Sequence, residues 1–367
     1  MQVPYVDLAR QHVALKDRLL DAVGQVIDHG QFILGKEVEL FERRFAELCG
    51  VRYAVGVNSG TDALILALLA LGIGPGDEVI TVPNSFVATV SAIRIAGAWP
   101  ILVDAGEDYN MDPAAIEAAI TPRTKALLPV HLTGRAARMD EIRAIADRHN
   151  LAIVEDCAQA VLASHKGRRV GAWGEVGCFS LHPLKTLNAL GDGGVLTTND
   201  GRIYEDLKIR RNLGLKGRDE CLFWSRNCRL DTLQAAMLLV KLEYLEQWTE
   251  RRRENARYYR EKLAGLRQIR TPGEHEWEYA VYHTFVVQAD RRDELRAFLA
   301  SRGIGTAVHY PVPIHLTSAG RELGYSAGSF PVAEGQAKRI VSLPIYPELA
   351  TSDLDYVIQS LFDFYAN

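Results

Sequence analysis

AVGVNSGTDALILALLAL, residues 54–71, decides the fold. Ala54–Val57 is a short apolar, partly β-branched run, and Asn58-Ser59-Gly60 is turn chemistry. Thr61–Leu71 then continues at helical period, so strand, turn and helix follow one another as the opening half of a βαβ unit. The alternation recurs along the chain. Strands are expected at Glu78–Val82, Pro100–Asp104, Ala126–His131, Ala152–Asp156, Cys178–Leu181 and Val195–Thr198. Helices are expected at Phe86–Ala96, Pro113–Ala119 and Met139–His149. The strands are mostly apolar throughout, as in sheets covered on both faces. This is an α/β pattern: a large domain around a seven-stranded, mostly parallel sheet. The link between the last two strands is too short for a helical crossover, so one of that pair is expected to run antiparallel.

On either side of this block the pattern changes. Residues 1–45 hold no βαβ unit: they give an extended start, a helix around Gln11–His29, a break at Gly30, and a helix around Lys36–Leu48. Such an arm is expected to pack on the large domain or on a partner subunit. The large domain is read as 46–247, ending in a helix-rich stretch that includes Leu230–Leu245. A smaller α+β domain, 248–367, has strands at Val281–Val287 and Thr306–Tyr310, a helix at Arg292–Arg302 and a last helix at Ser352–Phe364. Thr271–Trp277 between them reads as a loop.

Bulk properties exclude several classes. The chain has 367 residues, 48% apolar and 24% charged, with a formal net charge of −4, so nothing favours nucleic acid or an anionic membrane. Arg251-Arg252-Arg253 lies in a Glu-rich helical context and reads as a solvated face. The cysteines, Cys49, Cys157, Cys178, Cys221 and Cys228, are odd in number and form no CxxC pair, which points to reduced thiols and to neither a disulfide frame nor a metal site. The start, MQVPYVDLARQHVALKDRLL, has no apolar core of signal-peptide type, and no stretch reaches the roughly 18 apolar residues of a spanning helix. A cytoplasmic protein is expected.

Three places could carry chemistry. Asn58-Ser59-Gly60-Thr61 opens a helix, where backbone N–H groups and a hydroxyl suit a phosphate, although a plain Ser/Thr cap reads equally well. Asp156 ends the strand Ala152–Asp156 at the sheet edge where open α/β sheets bind ligands. It is either a helix cap or a carboxylate facing a protonated ring nitrogen. In FSLHPLKTLNALGDGG, residues 179–194, Lys185 lies just beyond another strand of the same sheet, with Ser180 on that edge. Alone it could be a surface charge, a phosphate ligand or a covalent nucleophile. Together the three supply an anion cradle, a carboxylate and an amine, the groups that pyridoxal phosphate (PLP) needs.

NSGTDAL (58–64), GDEVITVPNSFVAT (76–89), VEDCAQA (154–160), FSLHPLKTLNALGDGG (179–194) and NCRLDTLQAA (227–236) resemble the DegT/DnrJ/EryC1/StrS family, as do HYPVPIH (309–315) and SLPIYPEL (342–349). The resemblance covers nearly the whole chain and implies a fold-type I PLP-dependent enzyme. It implies an aminotransferase that passes an amino group, with L-glutamate as donor, to the keto group of a nucleotide-linked sugar.

By that resemblance Lys185 is the Schiff-base amine and Asp156 the partner of the pyridine nitrogen. Gln159 lies near the cofactor's 3-oxygen, Phe86 lies against the ring face, and Gly60, Thr61 and Ser180 hold the phosphate. Asn227 reaches the phosphate of a neighbouring subunit, which implies a homodimer with shared sites. His309, Tyr310 and His315 meet the sugar nucleotide. The chain departs from the family pattern at Arg226, Cys228 and Val161. His182 reads as a packing or supporting residue because Lys185 is present. The rival readings are an aminotransferase for a cyclitol ketone, a sugar dehydratase of the same fold, and a non-catalytic regulatory member.

Overall fold

The computed structural model describes residues 1–366. Three helices come first: α1 (Leu8–Val13), α2 (Lys16–His29) and α3 (Lys36–Cys49). The single helix expected over Gln11–His29 is broken at Ala14–Leu15, where Leu15 turns inward against Leu19, Met237 and Trp248. That packing is tertiary and leaves no mark in the local pattern. Ahead of α1, Val3 is buried among residues of the C-terminal region, its N–H on Gly303 O at 2.9 Å and its carbonyl accepting from Gly305 at 2.8 Å. The arm therefore also touches the region expected to form the small domain.

The sheet strands are β1 (Tyr53–Val57), β2 (Glu78–Thr81), β3 (Trp99–Leu102), β4 (Thr124–Leu127), β5 (Ala152–Asp156), β6 (Val176–Ser180) and β7 (Gly194–Thr198). Their order is β1-β7-β6-β5-β4-β2-β3. All neighbours run parallel except β7, which is antiparallel to both β1 and β6. Its register decides the site: Val57, Gly194 and Ser180 lie in one row across three strands. Helix α4 (Gly60–Ala70) leaves β1 through a two-residue turn and is buried from Asp62 to Leu68, packed between α5 (Val87–Ile95) and the sheet. Pro113–Ala119 is two 3₁₀ turns and not a helix; seven residues with only Pro113 and Ile116 buried cannot offset the cost of helix nucleation. α6 (Met139–His149) and α7 (Gly201–Arg210) complete the layers.

α8 (Thr232–Leu242) lies on α2 and α3, and α9 (Leu245–Leu263) follows it. Leu245 packs with the large-sheet side, whereas Ala256, Tyr259 and Leu263 belong to a second core with Phe285, Leu295 and Val341. There a three-stranded sheet has the order Ile269–Arg270, Phe285–Ala289, Ile340–Leu343. Three expectations are corrected in this region. The strand expected from Val281 begins at Phe285, because the Val281 and Thr284 amides bond to Gly134 O and Thr133 O instead. Thr306–Tyr310 is no strand: Ala307 alone pairs with Ser342, and the chain then turns toward the large sheet. Arg252, read as solvated, is buried and donates to Ile345 O (2.7 Å) and Tyr282 O (3.3 Å). Among the described residues no helix is long and apolar enough to cross a membrane.

Candidate active site

The C-terminal ends of β1, β5 and β6 open into a cavity of about 490 Å³. On one side Ser59 caps α4, its Oγ accepting from the Asp62 amide at 3.0 Å. The amides of Gly60 and Thr61 have no carbonyl in their own helix to bond, so they face the cavity as free donors at the positive end of the helix. Ser180, ending β6, meets this turn closely: a Cβ at position 60 would lie 2.7 Å from Ser180 Cβ and 3.3 Å from its Oγ. Only glycine lets the hydroxyl and the helix start share one concave surface. Gly194 serves the same closeness from β7, since a Cβ there would lie 2.3 Å from Ser59 O.

Asp156 is buried at the end of β5 and held from two sides. Its Oδ2 accepts from Thr89 Oγ at 2.8 Å and its Oδ1 from the Ala158 amide at 3.2 Å. Because Thr89 gives its proton to the carboxylate, Ser85 Oγ, 2.7 Å from Thr89, is the donor in that pair. Burial pushes Asp156 above the ordinary carboxylate range, opposed by Thr89, by the Ala158 amide and by the charge of Lys185. Lys185 lines the same cavity, and burial lowers its amine to about 8, against the attraction of Asp156. A substantial fraction is therefore neutral near physiological pH, as a nucleophilic amine requires.

The walls come from both halves of the chain. Phe86, half exposed at the start of α5, has its ring 5.5 Å from that of Tyr310. Gln159 accepts from the Thr133 amide at 2.7 Å and donates to the Tyr310 hydroxyl at 3.3 Å. His309 is tied through Nδ1 to Ser342 Oγ (2.8 Å), and burial with the nearby Lys185 charge lowers it to about 4. His182 lines the rim, its Nδ1 accepting from the Leu184 amide at 3.3 Å. The cavity thus brings together Gly60, Thr61, Phe86, Asp156, Gln159, Ser180, Lys185, His309 and Tyr310.

His315 lies elsewhere, and Asn227, expected at a neighbouring subunit's site, is not part of this one. Asn227 is exposed and does not line this cavity; its backbone bridges to Asn212. His315 is fully buried, its Nε2 3.0 Å from Glu334 Oε1 and its ring edge-on to Phe330, so it is sealed off from the cavity. Lining residues that escaped the sequence reading include Tyr5, Thr89, Asp192 and His283. Thr89 had a signal, since it follows Phe86 by three residues and shares its helix face. His283 had none, because it depended on where pairing began. His131, Glu155 and Cys157 also converge. Two of the three are already engaged: Glu155 accepts from His131 Nε2 (3.0 Å) and from the Gly171, Trp173 and Gly174 amides (each 2.8 Å), and His131 Nδ1 accepts from Ala137.

The model of the DegT/DnrJ/EryC1/StrS aminotransferase family matches residues 13–362. The chain belongs to that family. This aminotransferase is 46% identical over 349 residues to dTDP-3-amino-3,4,6-trideoxy-alpha-D-glucose transaminase of Streptomyces venezuelae, spanning 95% of this chain and 92% of the relative. It is 45% identical over 362 residues to the erythromycin biosynthesis sensory transduction protein EryC1 of Saccharopolyspora erythraea, spanning 98% and 99%. Among solved structures, S. venezuelae DesV in complex with a ketimine intermediate has a TM-score of 0.98 at 44% identity, covering 100% of this aminotransferase and 99% of that chain.

Proposed function

We propose that this aminotransferase binds pyridoxal phosphate and carries an amino group from L-glutamate to the keto group of a nucleotide-linked deoxysugar, releasing 2-oxoglutarate and an amino sugar. The observation that carries this is a single cavity holding a phosphate cradle, a buried carboxylate and an amine that burial lowers to about 8. The residues fit the cofactor. Gly60, Thr61 and Ser180 would hold its phosphate, Asp156 its ring nitrogen and Gln159 its 3-oxygen, with Phe86 against the ring. When bound, PLP supplies an aldehyde for an amine and a ring that accepts electrons from the carbon losing its proton.

The chain's own groups do the rest. Lys185 Nζ would take the proton from the donor's α-carbon and pass it to the carbon that carried the cofactor's aldehyde, and would move a proton the opposite way, onto the sugar carbon, in the second half of the reaction. Burial favours the protonated form of Asp156, while Thr89, the Ala158 amide and a cation placed opposite it would favour the carboxylate. Tyr5, Phe86 and Tyr310 present aromatic surface that keeps water from the reacting carbon. His309 and Tyr310 meet the sugar nucleotide. His315, behind Phe330, orders Glu334 instead.

The same reading includes a cytoplasmic homodimer with shared sites. Supporting it, Val13, Leu20 and Ile27 on the first two helices and Trp224 near Asn227 expose large apolar side chains. Mixed dimers of Lys185→Ala with Asn227→Ala should then recover part of the activity. Against a dehydratase stands Lys185, and against a silent regulator stands the complete site.

The test is turnover. Purified enzyme with PLP, L-glutamate and dTDP- or UDP-linked keto sugars should give 2-oxoglutarate and an amino sugar, both read by mass spectrometry. A nucleoside diphosphate should compete. Turnover of a cyclitol ketone without such competition would replace the sugar-nucleotide reading. Protein that stays colourless and inert with PLP and glutamate would end it.

A further inference from the structure

Lys185 can meet a cofactor in one geometry only if the turn that carries it, 182–190, is held in place. Two backbone bonds close this turn, Lys185 N–H to His182 O and Ala189 N–H to Leu181 O, both 2.8 Å. The rest of its order comes from Asn188, which is almost completely buried. Asn188 Nδ2 donates to the carbonyl of Lys185 itself (3.0 Å) and to Gln11 Oε1 (3.1 Å). Its Oδ1 and its main-chain carbonyl both accept from Lys241 Nζ, at 2.5 and 2.9 Å. The third proton of that ammonium points at His12 Nε2, 2.8 Å away. His12 Nδ1 lies 2.6 Å from Leu8 O and so carries the ring proton, which leaves Nε2 as an acceptor.

Lys241 is therefore fully buried with all three N–H bonds donated to neutral acceptors, and among the described residues no carboxylate pairs with it. Its neighbours on α8, Ala235, Ala236, Met237 and Leu238, are buried apolar side chains. A buried cation without a counter-charge is costly, and a well-packed hydrophobic residue would commonly serve stability better. Packing alone does not account for lysine here; what the ammonium does is bind both acceptors of Asn188 at once.

We propose that Lys241 is a positioning residue for Lys185: clamped between His12 of α1 and Asn188, it fixes the turn that presents the reactive amine. The inference rests on reading Lys185 as the group that meets the cofactor. Without the clamp the Asn188 amide turns, the Lys185 carbonyl loses its donor, and the amine moves toward water. Its protonation midpoint then climbs from about 8 back toward the ordinary lysine value.

The experiment is competitive acetylation of the full-length protein across pH, read peptide by peptide by mass spectrometry, with exposed Lys125 as internal reference. Lys241→Met removes the donors at similar volume. Asn188→Asp keeps acceptors for Lys241 but deletes the bond to the Lys185 carbonyl. Both should raise the Lys185 midpoint by about one pH unit, in keeping with partial loss of its desolvation. Leu295→Ala, in the separate core, should lower Tm and leave the midpoint where it was. No movement in Lys241→Met or in Asn188→Asp overturns the proposal, and so does an equal movement in Leu295→Ala. Should Lys241→Met fail to fold, Asn188→Asp decides alone. If the midpoints move but Lys185 never bonds PLP, the clamp stands and the reading of the cavity falls.

Discussion

Gly194→Ala is the substitution whose outcome the geometry fixes most tightly. Position 194 pairs with Val57 on one side and Ser180 on the other, directly beneath the Ser59–Gly60 turn. An added Cβ would lie 2.3 Å from Ser59 O and 2.5 Å from Ser59 C. Carbon–oxygen contacts settle at about 3.3 Å or more, so the turn has to retreat by about 1 Å. Ser59 caps α4, so the retreat carries the Gly60 and Thr61 amides away from Ser180. Overpacking of this kind costs about 1–3 kcal/mol of stability, read by equilibrium denaturation of the cofactor-free protein. A misplacement of about 1 Å in a binding group can cost up to about 100-fold, so PLP affinity should fall about 10- to 100-fold. Pyridoxal, which lacks the phosphate, should bind within about twofold of wild type, because the damage is confined to the cradle; a twofold change is only about 0.4 kcal/mol. An unchanged ratio of PLP to pyridoxal affinity would refute the assignment of the 59–60 turn, whatever the change in stability.

Three further outcomes follow from the same site. Uptake of PLP by Lys185 should rise through pH about 8, well below the ordinary lysine range. Between that value and the unfolded lysine pKa the unfolded chain holds a proton that the folded chain has released, so this group's contribution to stability also rises with pH across that window; flat uptake between pH 7 and 9 would contradict it. Thr89→Val leaves Asp156 Oδ2 without its hydroxyl donor and should cost about 1–3 kcal/mol in denaturant melts, with weaker cofactor retention. His315→Leu should lower Tm by removing the Glu334 contact yet leave KM for the sugar nucleotide unchanged, and a raised KM with unchanged Tm would return His315 to the substrate.

How much was legible in the sequence depended on whether a local pattern carried the information. The β1–α4 unit was readable because its strand is buried on both faces and its turn is Asn-Ser-Gly. That one of β6 and β7 is reversed was readable from connection length alone, since no helix fits between Ser180 and Gly194; which one it is came from the pairing. Asp156 and Gly60 could be placed on one edge because each sits at a strand end or helix start, and Lys185 because it follows a strand end within a short turn. What escaped was set by partners far along the chain. Val281–Thr284 has strand composition, but its amides are taken by Thr133 and Gly134. Ile340–Leu343 is a four-residue run of three apolar residues and Ser342 whose warrant as a strand is the partner at Phe285–Ala289. Arg252 reads as solvated until the carbonyls of Tyr282 and Ile345 close over it. Lys241 would pass for a surface charge on α8, and only the fold shows that α1 covers it.

The sheet order also sets when the molecule can first hold a ligand. β1 and β6 are made early on the ribosome, but they are not neighbours: β7, translated after both, is the strand that joins them. Until it inserts, the helix start at Gly60 and the hydroxyl of Ser180 have no common frame. A nascent chain that ends before Gly194 carries Lys185 and Asp156 and still lacks an assembled anion site.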